Sequence, residues 1–335
     1  QRLPLFAYLR HRSANQPLRR AFRHCTEVRQ SCIAATPTIH EKWQGRVPAA
    51  LAGGLQVTVD IQGAFDTVPH ALLAVALDHS QVPAPLAALL INWHRQAWAH
   101  VSVGTSRQSV PLARGIRQGC VVAPALWALL CAYLLDRVDD ALGQGWAAGH
   151  VNMYADDLHL YFQFCSRAEI SECLRAVGIV LSVLRDCGFA LALDKSGAIF
   201  QRSGATATAA RKDVVKRDRQ GPHLPLLIDA DQQRIPVAES LPYLGAILSY
   251  TAHTTKTLRH RLQLARTRFH QLRRLLYGRH GLSEKARVKL WRACVWQSAT
   301  YSLTCLRLST SQLEELRKFC AKHLRGILRL SLIHI

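Results

Sequence analysis

Three aspartates carry the most specific chemical signal in the chain. Asp60 closes an alternating stretch, Leu55-Gln56-Val57-Thr58-Val59, in phase with the polar Gln56 and Thr58. Asp156 and Asp157 stand together far downstream, in a tight turn between Val151 and Met153 on one side and Leu158, Leu160 and Phe162 on the other. An acid at one strand's end and an Asp-Asp turn between two others meet at one sheet edge if those strands are neighbours. Carboxylates gathered that closely repel one another and are costly unless a cation neutralises them. Mg²⁺ suits such a site, because it is hard, takes oxygen ligands and keeps phosphate oxygens as partners. Two such ions can activate an attacking hydroxyl and stabilise a departing pyrophosphate in an in-line phosphoryl transfer. Taken alone, Tyr154-Ala155-Asp156-Asp157 reads more readily as an ordinary Asp-containing turn than as a functional site. Asp66, just ahead of a helical stretch, reads as a helix cap.

The elements that must position these acids follow from periodicity. A helix is expected over 18–33 and a half-buried strand over 55–59, with Asp60 on its polar face. A helix over 68–79 follows, capped by Asp66 or Thr67 and with Pro69 in its first turn. Pro83 and Pro85 precede a second helix over 86–99, and a hairpin pairs 100–103 with 106–112 around Gly104. The loop 114–119 leads into an apolar helix over 121–135. After the Asp-Asp hairpin, a helix over 167–187 stops at Gly188. Strands are expected over 189–193 and 197–200, then a polar loop to Gly221, a hairpin of 226–228 with 234–237, and an extended segment over 243–248. From Thr254 the pattern is helical, with Leu258, Leu262, Ala265, Phe269, Leu272 and Leu276 at steps of three and four. The sum is an α+β core with an all-α appendage.

Composition limits what such a core does. With 335 residues, 49% of them hydrophobic, the chain buries a sizeable core in two or three subdomains and is not a disordered polymer. Lys and Arg number 43 against 22 acids, a net charge of +21. A field of that sign attracts polyanions, nucleic acid first and anionic membrane second. Between Lys256 and Arg292 there are twelve Lys and Arg against one acid, Glu284, with His260, His270 and His280 interleaved. The ten cysteines show no C-x-x-C spacing, so no zinc knuckle is visible, and they read as reduced thiols of an intracellular protein. The longest uncharged apolar run, 121–135, is short for a spanning helix, and no membrane association is expected. Residues 330–335, Leu-Ser-Leu-Ile-His-Ile, read as an adapter-derived, non-native tail.

Six segments in order now match one family. Phe6-Ala7-Tyr8-Leu9-Arg10-His11-Arg12-Ser13 is similar to a finger motif, and Val57 to Asp66 (V-T-V-D-I-Q-G-A-F-D) to a first catalytic motif. Gly115-Ile116-Arg117-Gln118-Gly119-Cys120, with Pro124 beyond, is similar to a template- and nucleotide-positioning motif. Tyr154-Ala155-Asp156-Asp157 resembles a Y-x-D-D turn, Leu191 to Ser196 (L-A-L-D-K-S) a lysine motif, and Tyr243-Leu244-Gly245 a primer grip. Together they resemble the reverse transcriptases, particularly those of non-LTR (LINE-like) retrotransposons. The match departs from the common pattern at Cys120 to Ala123, and Asp194 stands where Asn is frequent.

The resemblance implies a right-hand polymerase of fingers, palm and thumb, with an antiparallel-sheet palm and an α-helical thumb. Residues 1–54 would be partial fingers, with further finger motifs ahead of Gln1. The first catalytic strand and helix of the palm would be 55–79, a fingers/palm insertion 80–113, the rest of the palm 114–250 and the thumb 251–329. Asp60 and Asp156 would hold two Mg²⁺, with Mn²⁺ as a substitute, the Ile61 carbonyl assisting and Asp157 in support. Phe65, with Ala64 beside it, would lie beneath the incoming sugar and exclude a 2′-hydroxyl. Gln118 and Gly119 would contact template base and nucleotide, Gly119 by close backbone approach, and Arg117 phosphate. Lys195 would face the departing pyrophosphate, and Tyr243, Leu244 and Gly245 the primer. Arg10, Arg12, Arg259, Arg266 and Arg273 would bind nucleic acid. The partners implied are template RNA, primer DNA and dNTPs, inside the cell and with nuclear access for a eukaryotic retrotransposon. A group II intron or bacterial-type enzyme, an inactive RNA-binding relative or decayed copy, and a generic basic structural protein are the alternatives.

Overall fold

The structure is a computed structural model that describes residues 4–278 and 281–330. Residues 331–335 of the expected tail, and Gln1, Arg2 and His280 of the basic segments, lie outside the described residues. Eleven strands are present among those described. In chain order they are β1 (Ala52–Asp60), β2 (Trp98–Val103), β3 (Ser106–Pro111), β4 (Val151–Tyr154), β5 (Asp157–Phe164), β6 (Gly197–Ser203), β7 (Lys216–Asp218), β8 (Gly221–Ile228), β9 (Asp231–Pro236), β10 (Leu241–Tyr243) and β11 (Ala246–Leu248). Two compact units divide the chain: residues 1–17 with 28–239, and residues 18–27 with 240 onward. The division falls ahead of the sequence boundary at residue 250, and the helix Asn15–Ala34 contributes to both units.

The first unit is built on an antiparallel sheet of order β4-β5-β1-β6. One face carries Leu55, Val57 and Val59 of β1 and Leu158, Leu160 and Phe162 of β5, all buried. The helices Ala123–Leu142 and Arg167–Asp186 belong to the same core, through Leu126, Trp127, Leu130 and Leu134 on the first and Val177, Leu181 and Leu184 on the second. Their three- and four-residue steps give each helix one apolar stripe. Each such side chain contributes roughly 1.5–3 kcal/mol relative to exposure.

The other face departs from the half-buried strand expected. Gln56, Asn152 and His159 on it are fully buried. His159 Nε2 lies 2.9 Å from Gln56 Oε1, and Asn152 Nδ2 lies 3.0 Å from His159 Nδ1. A neutral imidazole that donates from Nε2 and accepts at Nδ1 satisfies both, which is what burial of polar groups demands. Residues 4–6 run beside β4: Phe6 N–H donates to the Met153 carbonyl and Met153 N–H to the Pro4 carbonyl, each at 2.9 Å. The segment that the sequence places in the fingers thus touches the sheet next to the Asp-Asp turn.

Four expectations about elements are corrected. The helix expected over 68–79 is His70–His79, with Pro69 as its N-cap rather than in its first turn and no side-chain cap, and a separate short helix, Ala64–Thr67, precedes it. Residues 189–193 form a single bridge, Leu191 with Ile61, rather than a strand. The polar loop before Gly221 contains the helix Ala207–Val214 and β7. The helix expected over 86–99 ends at Arg95, where β2 and the hairpin partner β3 take over, nearly all of their residues exposed.

The second unit holds the hairpin β10–β11 and the helices His253–Tyr277, Glu284–Trp291, Gln297–Thr300 and Thr310–Leu328, with a π-helical stretch at Arg292–Trp296. Leu258, Leu262, Ala265, Phe269 and Leu276 pack with Trp291, Val295, Phe319 and Ile327, the apolar stripe the sequence shows. His323 stacks on Phe269 with ring centroids 4.0 Å apart and accepts from Trp291 Nε1 at 3.4 Å. Burial, with Lys322, Arg266 and His270 adding, pushes its pKa down to about 4 and keeps it neutral. No helix among the described residues is long and apolar enough to cross a membrane.

Candidate active site

Strand register brings the three aspartates together. Asp60, at the end of β1, is the cross-strand partner of Asp157, the first residue of β5. Ala155 and Asp156 make the turn that joins β4 to β5, with Tyr154 opposite Asp157. Ala155 adopts φ +54°, a region costly for a residue with a Cβ. The turn is held because Trp127 Nε1 donates to the Ala155 carbonyl at 3.0 Å, both residues being buried. Asp60 is held from the other side. Its N–H donates to Ser196 Oγ at 3.1 Å and its carbonyl accepts from Ala192 N–H at 3.0 Å, while Ser196 Oγ donates to the Ala192 carbonyl at 2.9 Å.

The electrostatics match this crowding. Asp157 is solvent-accessible, yet its carboxyl is pushed up to about 6, first by partial enclosure, then by the charges of Asp156 and Asp60. Among the described residues, no three His, Cys, Asp or Glu side chains form a ready-made metal cage. The donor chemistry nevertheless fits a hard divalent cation. Mg²⁺ is ordinarily bound through one or two carboxylates and completed by phosphate and water oxygens. The enclosure and the neighbouring charges that raise Asp157 both disfavour its anion, and such a cation offsets both. A backbone donor is available too. Gln62 N–H bonds the Ala190 carbonyl at 2.9 Å, and this bond and the Ala192–Asp60 bond flank the Ile61–Leu191 bridge. Alternation along the strand therefore turns the Ile61 carbonyl toward the edge where Asp157 pairs.

Around the acids lie residues of the nucleotide-positioning motifs. Phe65, in the helix Ala64–Thr67, stacks on Trp127 with centroids 4.5 Å apart and meets Tyr8 edge-on at 6.2 Å. Ala64 beside it is buried. Asp66 does not cap a helix; both its carboxylate oxygens accept from the Gln118 amide at 3.0 Å. A second glycine of the same motif, Gly115, is the one pressed against protein backbone. A Cβ on Gly115, at φ +100°, would stand 2.7 Å from the Asp66 carbonyl oxygen, whereas Gly119, at φ +80°, has open space. Gly115 N–H bonds the Val68 carbonyl and Ile116 N–H the Phe65 carbonyl, so the loop is sewn to the Phe65 helix. Arg117 and Gln118 are exposed. Lys195 is exposed in the turn that starts from Ala192, its side chain making no ion pair among the described residues. Arg10 is exposed, and Arg12 lies 5.2 Å over the Phe6 ring.

In the second unit, Tyr243 is buried, and Leu244 and Gly245, at φ +45° and +74°, turn β10 into β11. Arg259, Arg266 and Arg273 are exposed on the helix His253–Tyr277 at seven-residue steps, hence on one face. Tyr8, Trp127, Ser196 and Gly115 are the positions whose part in the site the sequence left unremarked. An indole N–H inside an apolar helix was the one usable signal, since a buried one needs an acceptor.

The family model described as reverse transcriptase (RNA-dependent DNA polymerase) matches residues 13–248. The chain belongs to this family. The α+β class with a right-hand polymerase core, expected from the motifs, is that of the reverse transcriptase family. Among solved structures, the chain is similar to telomerase from Candida albicans in complex with a TWJ fragment of telomeric RNA, at 10% identity and TM-score 0.32, over 94% of this chain and 51% of that one. It is similar also to apo telomerase from Candida tropicalis, at 10% identity and TM-score 0.33, over 93% and 55%. The chain spans about half the length of these proteins.

Two outcomes are expected of this geometry. An ordinary aspartate ionises near 3.8 and Asp157 near 6, so between those values the folded chain binds more protons than the unfolded one. Stability of the metal-free protein therefore falls as pH rises through that window. Asp157→Asn removes the loss. Urea unfolding should show the variant and native chain alike below about pH 4, and the variant more stable by about 1 kcal/mol above pH 6, allowing for solvent screening. A difference that does not vary with pH contradicts the coupling. Gly115→Ala should lower stability by about 2 kcal/mol, with an unchanged dependence on urea concentration, because its Cβ meets backbone that cannot yield.

Proposed function

We propose that the chain is the polymerase core of an RNA-directed DNA polymerase that extends a DNA 3′ end with dNTPs on an RNA template. The cross-strand meeting of Asp60 with Asp157, beside Asp156, carries this reading, and the family match over 13–248 supports it. Asp60 and Asp156, with the Ile61 carbonyl, hold two Mg²⁺, for which Mn²⁺ substitutes. When bound, these ions supply charge neutralisation at the attacking hydroxyl and the departing pyrophosphate. Asp157 keeps the site anionic. Lys195, on the turn tied to the Asp60 backbone, offers charge or a proton to the pyrophosphate.

Phe65 is the sugar gate. Its ring is wedged between Trp127 and Tyr8, so a 2′-hydroxyl above it has nowhere to go. Gln118, aligned by Asp66, and Gly119 face the template base and nucleotide, and Arg117 a phosphate. The hairpin turn at Tyr243, Leu244 and Gly245 grips the primer, and Arg10, Arg12, Arg259, Arg266 and Arg273 follow the phosphate backbone. Six ordered motifs favour a non-LTR retrotransposon as the source, acting in the cell with access to nuclear DNA. Intact Asp60, Asp156 and Asp157 disfavour a decayed or purely RNA-binding relative.

Primer extension by the full-length protein on an RNA template, with Mg²⁺ and dNTPs, tests the reading. Asp156→Ala should reduce synthesis by roughly a thousand-fold or more, and undiminished synthesis would defeat the site. Phe65→Val should lower discrimination against ribonucleotides by about 10- to 100-fold. A variant that still refuses rNTPs removes the gate.

A further inference from the structure

Arg261 is buried without an anion. The residue is 8% exposed, and its Nε is enclosed with no hydrogen-bond acceptor among the described residues. Nor does the side chain form an ion pair among them. Its one neighbour of note is the Tyr301 ring, whose centroid is 4.9 Å from Cζ. Burial depresses its basicity, and only Tyr301 opposes that effect. Arg287, in the same unit, shows what a structural arginine looks like. It is 5% exposed and its Nε likewise lacks an acceptor, but its terminal nitrogens donate to the carbonyls of Leu276 and Gly278 at 3.4 and 3.2 Å and pair with Glu284 at 3.7 Å.

The unit has no acid free to play that part for Arg261. Its acids are Glu27, Glu284, Glu314 and Glu315. The first three pair with Arg23, Arg287 and Arg317, and Glu315 is exposed on the helix Thr310–Leu328. A guanidinium taken out of water without a counter-charge is a standing cost to the free protein. It is relieved when an anion arrives from outside, and a planar guanidinium matches phosphate oxygens best.

The place where that anion would arrive is marked by a glycine. A Cβ on Gly245 would stand 2.7 Å from the Tyr301 ring and 3.5 Å from an Arg261 terminal nitrogen. Arg261 therefore lies against the turn of the β10–β11 hairpin, and Tyr301, 47% exposed, carries the cluster to the surface. Tyr301 directly follows the helix Gln297–Thr300, which continues from the π-helical stretch Arg292–Trp296; such stretches recur at functional positions.

We infer that Arg261, laid on Tyr301 beside the turn at Leu244 and Gly245, is the binding site for one backbone phosphate of a nucleic-acid strand. That the strand is the primer rests on the polymerase reading; the phosphate site itself does not.

The test uses the full chain and a short RNA–DNA hybrid with a recessed DNA 3′ end, without dNTPs, so that no chemistry is required. Fluorescence anisotropy across a salt series compares the wild type with Arg261→Met, and thermal unfolding follows both free proteins. Loss of one phosphate contact should raise Kd about ten-fold and reduce the slope of log K against log salt by about one. The free Arg261→Met protein should unfold at the same or a higher temperature, and Arg261→Lys should keep most of the slope. The slope decides between the outcomes. An Arg261→Met protein that fails to fold, or one that keeps the wild-type slope, overturns the proposal. The expected slope difference from a wild type that, once Mg²⁺ and dNTPs are added in a separate assay, extends no primer removes the polymerase reading and leaves the phosphate site standing.

Discussion

Like charges do not gather by themselves. The three aspartates come together only because backbone geometry forces them to, and the first unit is organised around that constraint. Cross-strand pairing sets Asp60 opposite Asp157, and a two-residue turn delivers Asp156 next to them. Neither placement depends on attraction between the side chains, and the raised pKa of Asp157 reflects its partial enclosure first and repulsion from Asp156 and Asp60 second. What resists it lies in the flanking structure. Ser196 and Ala192 clasp the backbone of Asp60, and an indole holds a turn residue in an unfavourable conformation. On the polar face of the sheet, Gln56, His159 and Asn152 tie the strands to one another through hydrogen bonds on both nitrogens of the imidazole. A one-residue slip would unpair that buried network as well as scatter the acids.

Much of this was legible in the residues, and the failures have a common cause. The Asp-Asp hairpin, the apolar helix and the amphipathic basic helix all follow from periodicity, which local sequence encodes directly. Asp66 was misread because a carboxylate ahead of a helix is a strong local signal, whereas its partner Gln118 is 52 positions away. Nothing local says that Gly115 must lack a side chain; the fold requires it, because the Asp66 carbonyl passes over it. The polar phase of β1 suggested solvent, but the face is covered and its polar groups bond one another. Sequence thus encodes each element's own preference, and loses the tertiary partner that overrides it.

The second unit shows the same logic with the opposite sign. Its basic residues divide by environment into three kinds. Arg259, Arg266 and Arg273 remain in water on one helix face, where a positive charge costs little. Arg287 is enclosed too, and its Nε also lacks an acceptor, but its terminal nitrogens meet carbonyls at a helix end and Glu284. Arg261 is enclosed and has an aromatic ring alone. Net charge treats the three alike. Only the partner list separates a solvated charge and a structural charge from one that awaits a ligand.

Trp127 links the two halves of the proposed chemistry. Its indole nitrogen holds the carbonyl of Ala155, immediately before Asp156, and its ring lies flat under Phe65. A ring able to tilt or slide would let the gate yield to a 2′-hydroxyl. Trp127 cannot do so without releasing the hydrogen bond that keeps Ala155 at positive φ. The stiffness of the proposed gate and the placement of the Asp-Asp turn therefore share one fully buried side chain. On the proposed reading, sugar selection and metal binding would be one mechanical property: loosening the packing around Trp127 would weaken both, even where every residue proposed to touch the nucleotide or the cation is unchanged.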